Sequence, residues 1–222
     1  MLSRDSGSAA PVSSVLYLHG FNSGAASPKA RLVEEACRAL VAADSGKVPG
    51  FMALQLPHRP QAAMEAVEAA LATLGQDTLV VGSSMGGFLA TCLAERHGLR
   101  AVLINPAVRP ARLVSEWLGA AFVNDYTGEH FVVGAEHAEE LEMLTPRRIS
   151  RPQRYLLLLG SADETLDCRD ALHAYSGCRT IIHPGGDHGF SALARYLPAV
   201  MAHGGHYLPV SRVPGDTVTH DA

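Results

Sequence analysis

From Thr78 to Ala94 the chain carries no charged side chain, and the centre of that run reads Gly82-Ser83-Ser84-Met85-Gly86-Gly87. The run approaches the length of a bilayer span, but its glycines and serines fall where a membrane helix is most apolar. It divides instead into a strand over Thr78–Val81, a tight turn, and a buried helix from Met85 to about His97 closed by Gly98. A strand that is apolar without alternation is buried on both faces. That requires helices above and below it, and hence a parallel sheet in an α/β layer arrangement.

The rest of the chain keeps that rhythm. Val15-Leu16-Tyr17-Leu18 is a first apolar strand, and Ser27-Pro28 reads as the N-cap and first residue of a helix carrying Leu32, Val33, Ala36, Ala39 and Leu40. Phe51–Leu56 forms a second strand stopped by Pro57, and Met64, Val67, Leu71 and Leu74 make a helical stripe closed by Gly75. Ala101–Ile104, Tyr155–Leu159 and Arg179–Ile182 are the fourth, fifth and sixth strands, and Phe190–Ala202 is the last helix, with Pro198 as a potential kink. Residues 106–154 are too long for a plain crossover. They contain Trp117, Phe122, Tyr126 and Phe131, and read either as an elaborated crossover of short helices or as a small lid over the strand ends. The expected organisation is a flexible N-terminal extension over 1–13, one domain over 14–203 with a lid-like insertion over 106–154, and a loose polar tail over 204–222.

Composition excludes several classes. With 222 residues, 47% hydrophobic and 18% charged, the chain is sized for a single domain and too apolar for disorder. Its net charge is −4, and no basic stripe offers a nucleic-acid surface. The polar start is unlike a secretory peptide, so a cytoplasmic protein without a membrane span is expected. Cys37, Cys92, Cys168 and Cys178 form no CxxC pair and read as free thiols, with a Cys168–Cys178 bridge left open. No zinc-type pattern joins His183, Asp187, His188, His203 or His206, so neither a metal nor a cofactor is expected.

The chemistry begins at Gly82-Ser83-Ser84-Met85-Gly86, a G-x-S-x-G sequence between a strand and a helix. In that context the serine occupies a strained turn that thrusts its hydroxyl into a cleft, and the glycines let strand and helix approach closely. His19-Gly20-Phe21 follows the first strand, where serine hydrolases built on a parallel sheet carry the second half of an oxyanion hole; the amides of Phe21 and Met85 are the candidate donors. His19 itself reads as a brace for that loop. An acid and then a histidine must follow in chain order. Asp163, at the end of the fifth strand, and His188, in the loop after the sixth, fit those roles better than Glu164, Asp167, Asp187 or His183. Asp167 reads as a helix cap.

Together, Leu16–Ser23, Ser27-Pro28-Lys29-Ala30, Gly82–Phe88, Ile104–Pro110, Tyr126-Thr127-Gly128-Glu129, Asp163–Asp167 and Gly185-Gly186-Asp187-His188 resemble the YqiA-type esterases, small bacterial α/β-hydrolases. The resemblance covers roughly residues 14–202. It implies a minimal α/β-hydrolase fold: a six-stranded, mainly parallel sheet in spatial order 2-1-3-4-5-6. It also implies hydrolysis of acyl esters or thioesters by Ser84, Asp163 and His188. The expected function is a serine-dependent carboxylic ester hydrolase working through an acyl-enzyme on small-molecule esters of short to medium acyl length. Trp117 and Phe122 are candidates for the acyl pocket, and Arg109 and Arg112 for an anionic substrate group. The alternatives are an acyl-CoA thioesterase using the same residues and a non-catalytic binding protein on the same fold.

Overall fold

The computed structural model describes residues 10–41 and 48–214. The main sheet has six parallel strands: β1 (Ser14–Leu18), β2 (Gly50–Ala53), β3 (Thr78–Ser83), β4 (Arg100–Ile104), β7 (Tyr155–Gly160) and β8 (Arg179–His183). Their order, β2-β1-β3-β4-β7-β8, is the spatial order expected for the six strands. Strand alternation explains the unbroken apolar runs. Leu16, Leu18, Val80, Leu103, Leu157 and Leu159 face one way, against α2 (Pro60–Leu74) and α3 (Met85–His97). Val15, Tyr17, Leu79, Val81, Val102, Ile104, Leu156 and Leu158 face the other, against α1 (Pro28–Val41) and α7 (Leu193–His203). Both faces are closed to solvent, and the polar side chains the central strands do carry are buried with them: Ser14 and Thr78 hydrogen-bond to each other at 2.8 Å, and Ser83 is 2% exposed.

Two element boundaries move, each for a local reason. The second strand ends at Ala53 rather than Leu56, because the chain beyond it bonds to the loop after β1 instead of the ladder. The Leu56 amide donates to His19 Nε2 at 3.0 Å, and Gln55 Nε2 donates to the Ser23 carbonyl at 3.1 Å. The last helix begins at Leu193 rather than Phe190, whose φ of 51° is left-handed and cannot continue a helix.

The segment 106–154 contains helices α4 (Pro110–Ser115) and α5 (Ala135–Leu144) and, between them, an antiparallel hairpin of β5 (Ala121–Val123) and β6 (His130–Val132). Two side-chain amides fasten this hairpin to the loop after β1: Asn22 Nδ2 donates to the Val123 carbonyl and Asn124 Nδ2 to the Ser23 carbonyl, both at 3.0 Å. After β7 comes the short α6 (Cys168–Ala174).

The segments expected as polar extensions are packed where they are described. The Val12 amide donates to the Gly204 carbonyl at 2.9 Å and the Val12 carbonyl meets His206 Nε2 at 2.8 Å, while Leu208 and Val213 are buried. Three apolar side chains, too few to alter the composition of those segments, provide the anchorage. Residues 1–9 and 215–222 lie outside the described residues. All four cysteines are free thiols. Among the described residues no helix is long and apolar enough to cross a membrane.

Candidate active site

The turn after β3 has the geometry its glycines demand. Ser84 has φ 55° and ψ −120°, a left-handed conformation for a residue with a side chain. A Cβ on Gly82 would fall on the Gly86 carbonyl, and one on Gly86 would fall on the Leu18 carbonyl. Only glycine permits that approach of α3 to β1 and β3. The strained turn is held by its neighbours: the Ser84 amide donates to the Ile104 carbonyl at 3.0 Å, and the Ser84 carbonyl accepts from Ala107 at 3.1 Å.

Three of the expected residues meet there. His188 Nε2 lies 3.1 Å from Ser84 Oγ, and His188 Nδ1 lies 2.9 and 3.0 Å from the two carboxylate oxygens of Asp163. The Asp163 side chain is 2% exposed and that of His188 22%. Asp163 Oδ1 also accepts the amides of Thr165 and Leu166, each at 2.8 Å, which fixes the carboxylate toward the imidazole. A carboxylate on Nδ1 keeps the proton on that nitrogen and leaves the Nε2 lone pair toward the serine hydroxyl. The neighbouring acids are engaged elsewhere. Asp167 caps α6 by accepting the Arg169 amide at 2.9 Å, and the Arg169 side chain holds its carboxyl down at about 2. Asp187 accepts the Ser191 amide at 2.9 Å and hydroxyl at 2.6 Å.

His19 is buried and held as a neutral tautomer. Its Nδ1–H donates to the Gly20 carbonyl at 2.8 Å and its Nε2 accepts from Leu56, while burial lowers its pKa. It therefore ties the Phe21 loop to the chain beyond β2. Met85 opens α3, so its amide has no intrahelical acceptor.

Two cavities flank Phe21. An open cleft of about 520 Å³ contains Ser84 and His188 and is lined by Trp117 and Tyr126 among others. A second, of about 40 Å³, is lined by Phe21, Met85, Leu89, Val114, Phe131 and Leu141, with His58 and His137 at a polar corner. Phe21 joins an aromatic cluster with the inserted segment, its ring centroid 5.1 Å from both Trp117 and Phe122. Phe122 belongs to that cluster without lining either cavity. Arg109 and Arg112 are exposed and line neither. They flank the start of α4, whose buried face is Pro110, Ala111 and Val114, and this turns both guanidinium groups to solvent.

Asn105 was not singled out for a role by the sequence. Buried, with φ 41°, it donates through Nδ2 to the carbonyls of Asp187 at 2.9 Å and His188 at 3.0 Å, and accepts the Gly160 amide at 2.8 Å. It pins the histidine loop to the strand ends. Glu164 Oε2 adds a bond from the His188 amide at 3.0 Å. The available signal for Asn105 was its type: an asparagine directly after a buried strand tolerates the left-handed turn.

Comparison with known families places the chain. The profile of Uncharacterised protein family (UPF0227) matches residues 14–204. The chain belongs to this family. It is the family of the YqiA-type esterases that the sequence resembles. Solved structures agree on the architecture. A protein from Agrobacterium vitis S4 superposes with a TM-score of 0.68 at 18% identity, over 88% of this chain and 90% of its own. The mouse alpha/beta hydrolase domain-containing protein 10 gives 0.60 at 18%, over 79% and 82%. An esterase domain from a Rhodothermus marinus protein gives 0.58 at 22%, over 92% and 88%. At these identities the likeness is one of fold, and the fold is that of the α/β-hydrolases.

Proposed function

We propose that the protein is a serine-dependent carboxylic ester hydrolase that works through an acyl-enzyme on esters of short to medium acyl length. The observation that carries this reading is the hydrogen-bonded chain from Ser84 through His188 to Asp163 at the carboxyl edge of the sheet. Ser84 Oγ attacks the ester carbonyl while His188 Nε2 takes its proton, and Asp163 stabilises the imidazolium. The carbonyl oxygen becomes an oxyanion held by the amides of Phe21 and Met85. Collapse expels the alcohol, which takes the proton from His188. Water then attacks the acyl carbon as the same nitrogen takes its proton, and collapse breaks the bond to Ser84 Oγ, which recovers the proton from His188 as the acid leaves.

The aromatic cluster of Phe21, Trp117 and Phe122 supports an apolar acyl site at the cleft. Each buried methylene contributes about 0.8 kcal/mol, so selectivity should rise with acyl length until the site is filled. The test is hydrolysis of a series of 4-nitrophenyl esters by wild type, Ser84→Ala and Ser83→Ala. Turnover by wild type and Ser83→Ala with none by Ser84→Ala supports the reading. Equal turnover by wild type and Ser84→Ala contradicts it.

A further inference from the structure

Part of the cleft lining has unmet hydrogen-bonding capacity of one kind. Tyr17 and Ser27 are 1% and 5% exposed and line the cleft; their hydroxyls neighbour each other, with Ser83 beside Tyr17, and neither closes a hydrogen bond of good geometry with a described residue. Buried orphan hydroxyls cost free energy unless something fills them. Ser27 is the more telling. Its carbonyl accepts the Arg31 amide at 3.1 Å, so it stands at the N-cap of α1, yet its hydroxyl caps nothing. The first turn of α1 contains no acidic residue, and its early amides lack intrahelical acceptors. The positive end of a 14-residue helix is thus left without a counter-charge at the cleft.

Lys29 projects from that same turn into the cleft. Its ammonium donates to the Gly189 carbonyl at 2.8 Å, which leaves two of its three protons. It makes no ion pair within 4.0 Å with a described carboxylate. Asp187 and Asp163 lie near enough to favour its charge, but their oxygens are committed to Ser191 and to His188, Thr165 and Leu166. Burial works against the ammonium, so a further negative partner would be favourable there.

We propose that Tyr17 Oη, Ser27 Oγ, Lys29 Nζ and the uncapped N-terminus of α1 form an anion subsite beside Ser84, which takes a carboxylate or phosphate group carried by the ester substrate. The assignment rests on the esterase reading and adds the substrate's charge to it. An oxyanion of either kind accepts from every group on this wall, and none of those groups needs an acceptor's opposite, a donor, from the ligand. Arg109 and Arg112 have no part in it, being outside the cleft.

The test compares kcat/KM for charged and uncharged esters of matched size. Butyrate esters of 4-hydroxybenzoate and of 4-hydroxyphenyl phosphate are set against that of 4-hydroxybenzamide, which places a carboxylate or a phosphate on the alcohol side. The 4-nitrophenyl half-ester of succinate is set against 4-nitrophenyl butyrate, which places the charge on the acyl side. In wild type at least one charged ester should be preferred by about tenfold or more, and the arm that shows the preference identifies the group and the side. Lys29→Gln should cut that ratio by about tenfold, and Tyr17→Phe and Ser27→Ala should each lower it. The ratio matters because Lys29 also supports the His188 loop through Gly189, and damage to that loop slows both esters alike. Arg112→Gln, the same loss of charge outside the cleft, should leave the ratio alone. No preference in any arm, or a preference that Lys29→Gln and Arg112→Gln reduce equally, overturns the subsite while leaving the esterase reading intact. If folded wild type turns over no ester, the esterase reading fails. The subsite is then decided by calorimetric titration with inorganic phosphate: millimolar binding lost in Lys29→Gln supports it, and no such binding overturns it.

Discussion

Replacing Asn105 with alanine removes three hydrogen bonds from beneath His188: two donated to the carbonyls of Asp187 and His188, and one accepted from Gly160. Each contributes about 1 kcal/mol net, so roughly 3 kcal/mol of local support is lost. The abandoned groups around a residue only 3% exposed cannot all turn to water. Alanine at a φ of 41° adds about 1–2 kcal/mol of strain that asparagine better tolerates. Part of this cost falls on global stability and part on the loop that aims His188. A loss of about 10- to 100-fold in kcat is therefore expected, with KM nearly unchanged, because Asn105 lines neither cavity. Asn105→Asp keeps the acceptor and the backbone preference but faces two carbonyls with a carboxylate. It should lose activity while losing less stability to backbone strain. Steady-state kinetics well below the melting temperature, beside thermal unfolding of each variant, separates the effects. A folded Asn105→Ala enzyme with wild-type kcat would refute the argument that this amide positions the histidine.

Asp163→Asn should lower turnover by roughly 10⁴-fold with little change in shape, whereas Asp167→Asn and Asp187→Asn should cost far less; kcat for a single neutral ester checks the ranking. Trp117→Ala should flatten the acyl-length preference and leave an acetyl ester largely unaffected, and equal losses on acetyl and longer esters would make Trp117 a packing residue only. Stability should fall in mild acid through His19 and His203, whose pKa values burial holds below the ordinary 6.5. The unfolded chain binds protons at those sites first. Their contribution is therefore intact above 6.5 and lost as pH drops from there toward the folded-state values; melting temperatures from about pH 8 to about pH 5.5, with a shallower decline in His203→Gln, test this.

The sheet was legible because its signal is redundant. Every central strand is buried on both faces, so an apolar run such as Leu156–Leu159 has no competing explanation once turns bound it. The serine turn was legible for a steric reason, since Gly82 and Gly86 sit where any side chain would strike backbone. What the sequence hid depends on contacts between distant segments. The hairpin strands Ala121–Val123 and His130–Val132 are too short to show alternation, and their position comes from Asn22 and Asn124 reaching across the fold. The chain beyond β2 is held at Leu56 by a histidine 37 positions earlier. Position in the sequence marks Ser27 as an N-cap, but that its hydroxyl sits beside Tyr17 without capping the helix is visible only in three dimensions. Arg109 and Arg112 were drawn to the site by proximity in sequence to the strand end, and the packing of α4 turns them outward.

The central claim is that Ser84 is a nucleophile activated by His188. Reaction of the native protein with a fluorophosphonate, read by intact mass and peptide mapping, tests it most directly. A single adduct is expected, on Ser84, retained in Ser83→Ala, absent in Ser84→Ala and formed far more slowly in His188→Ala. An adduct on Ser83 or another residue, or labelling of Ser84 at the same rate without His188, would contradict it.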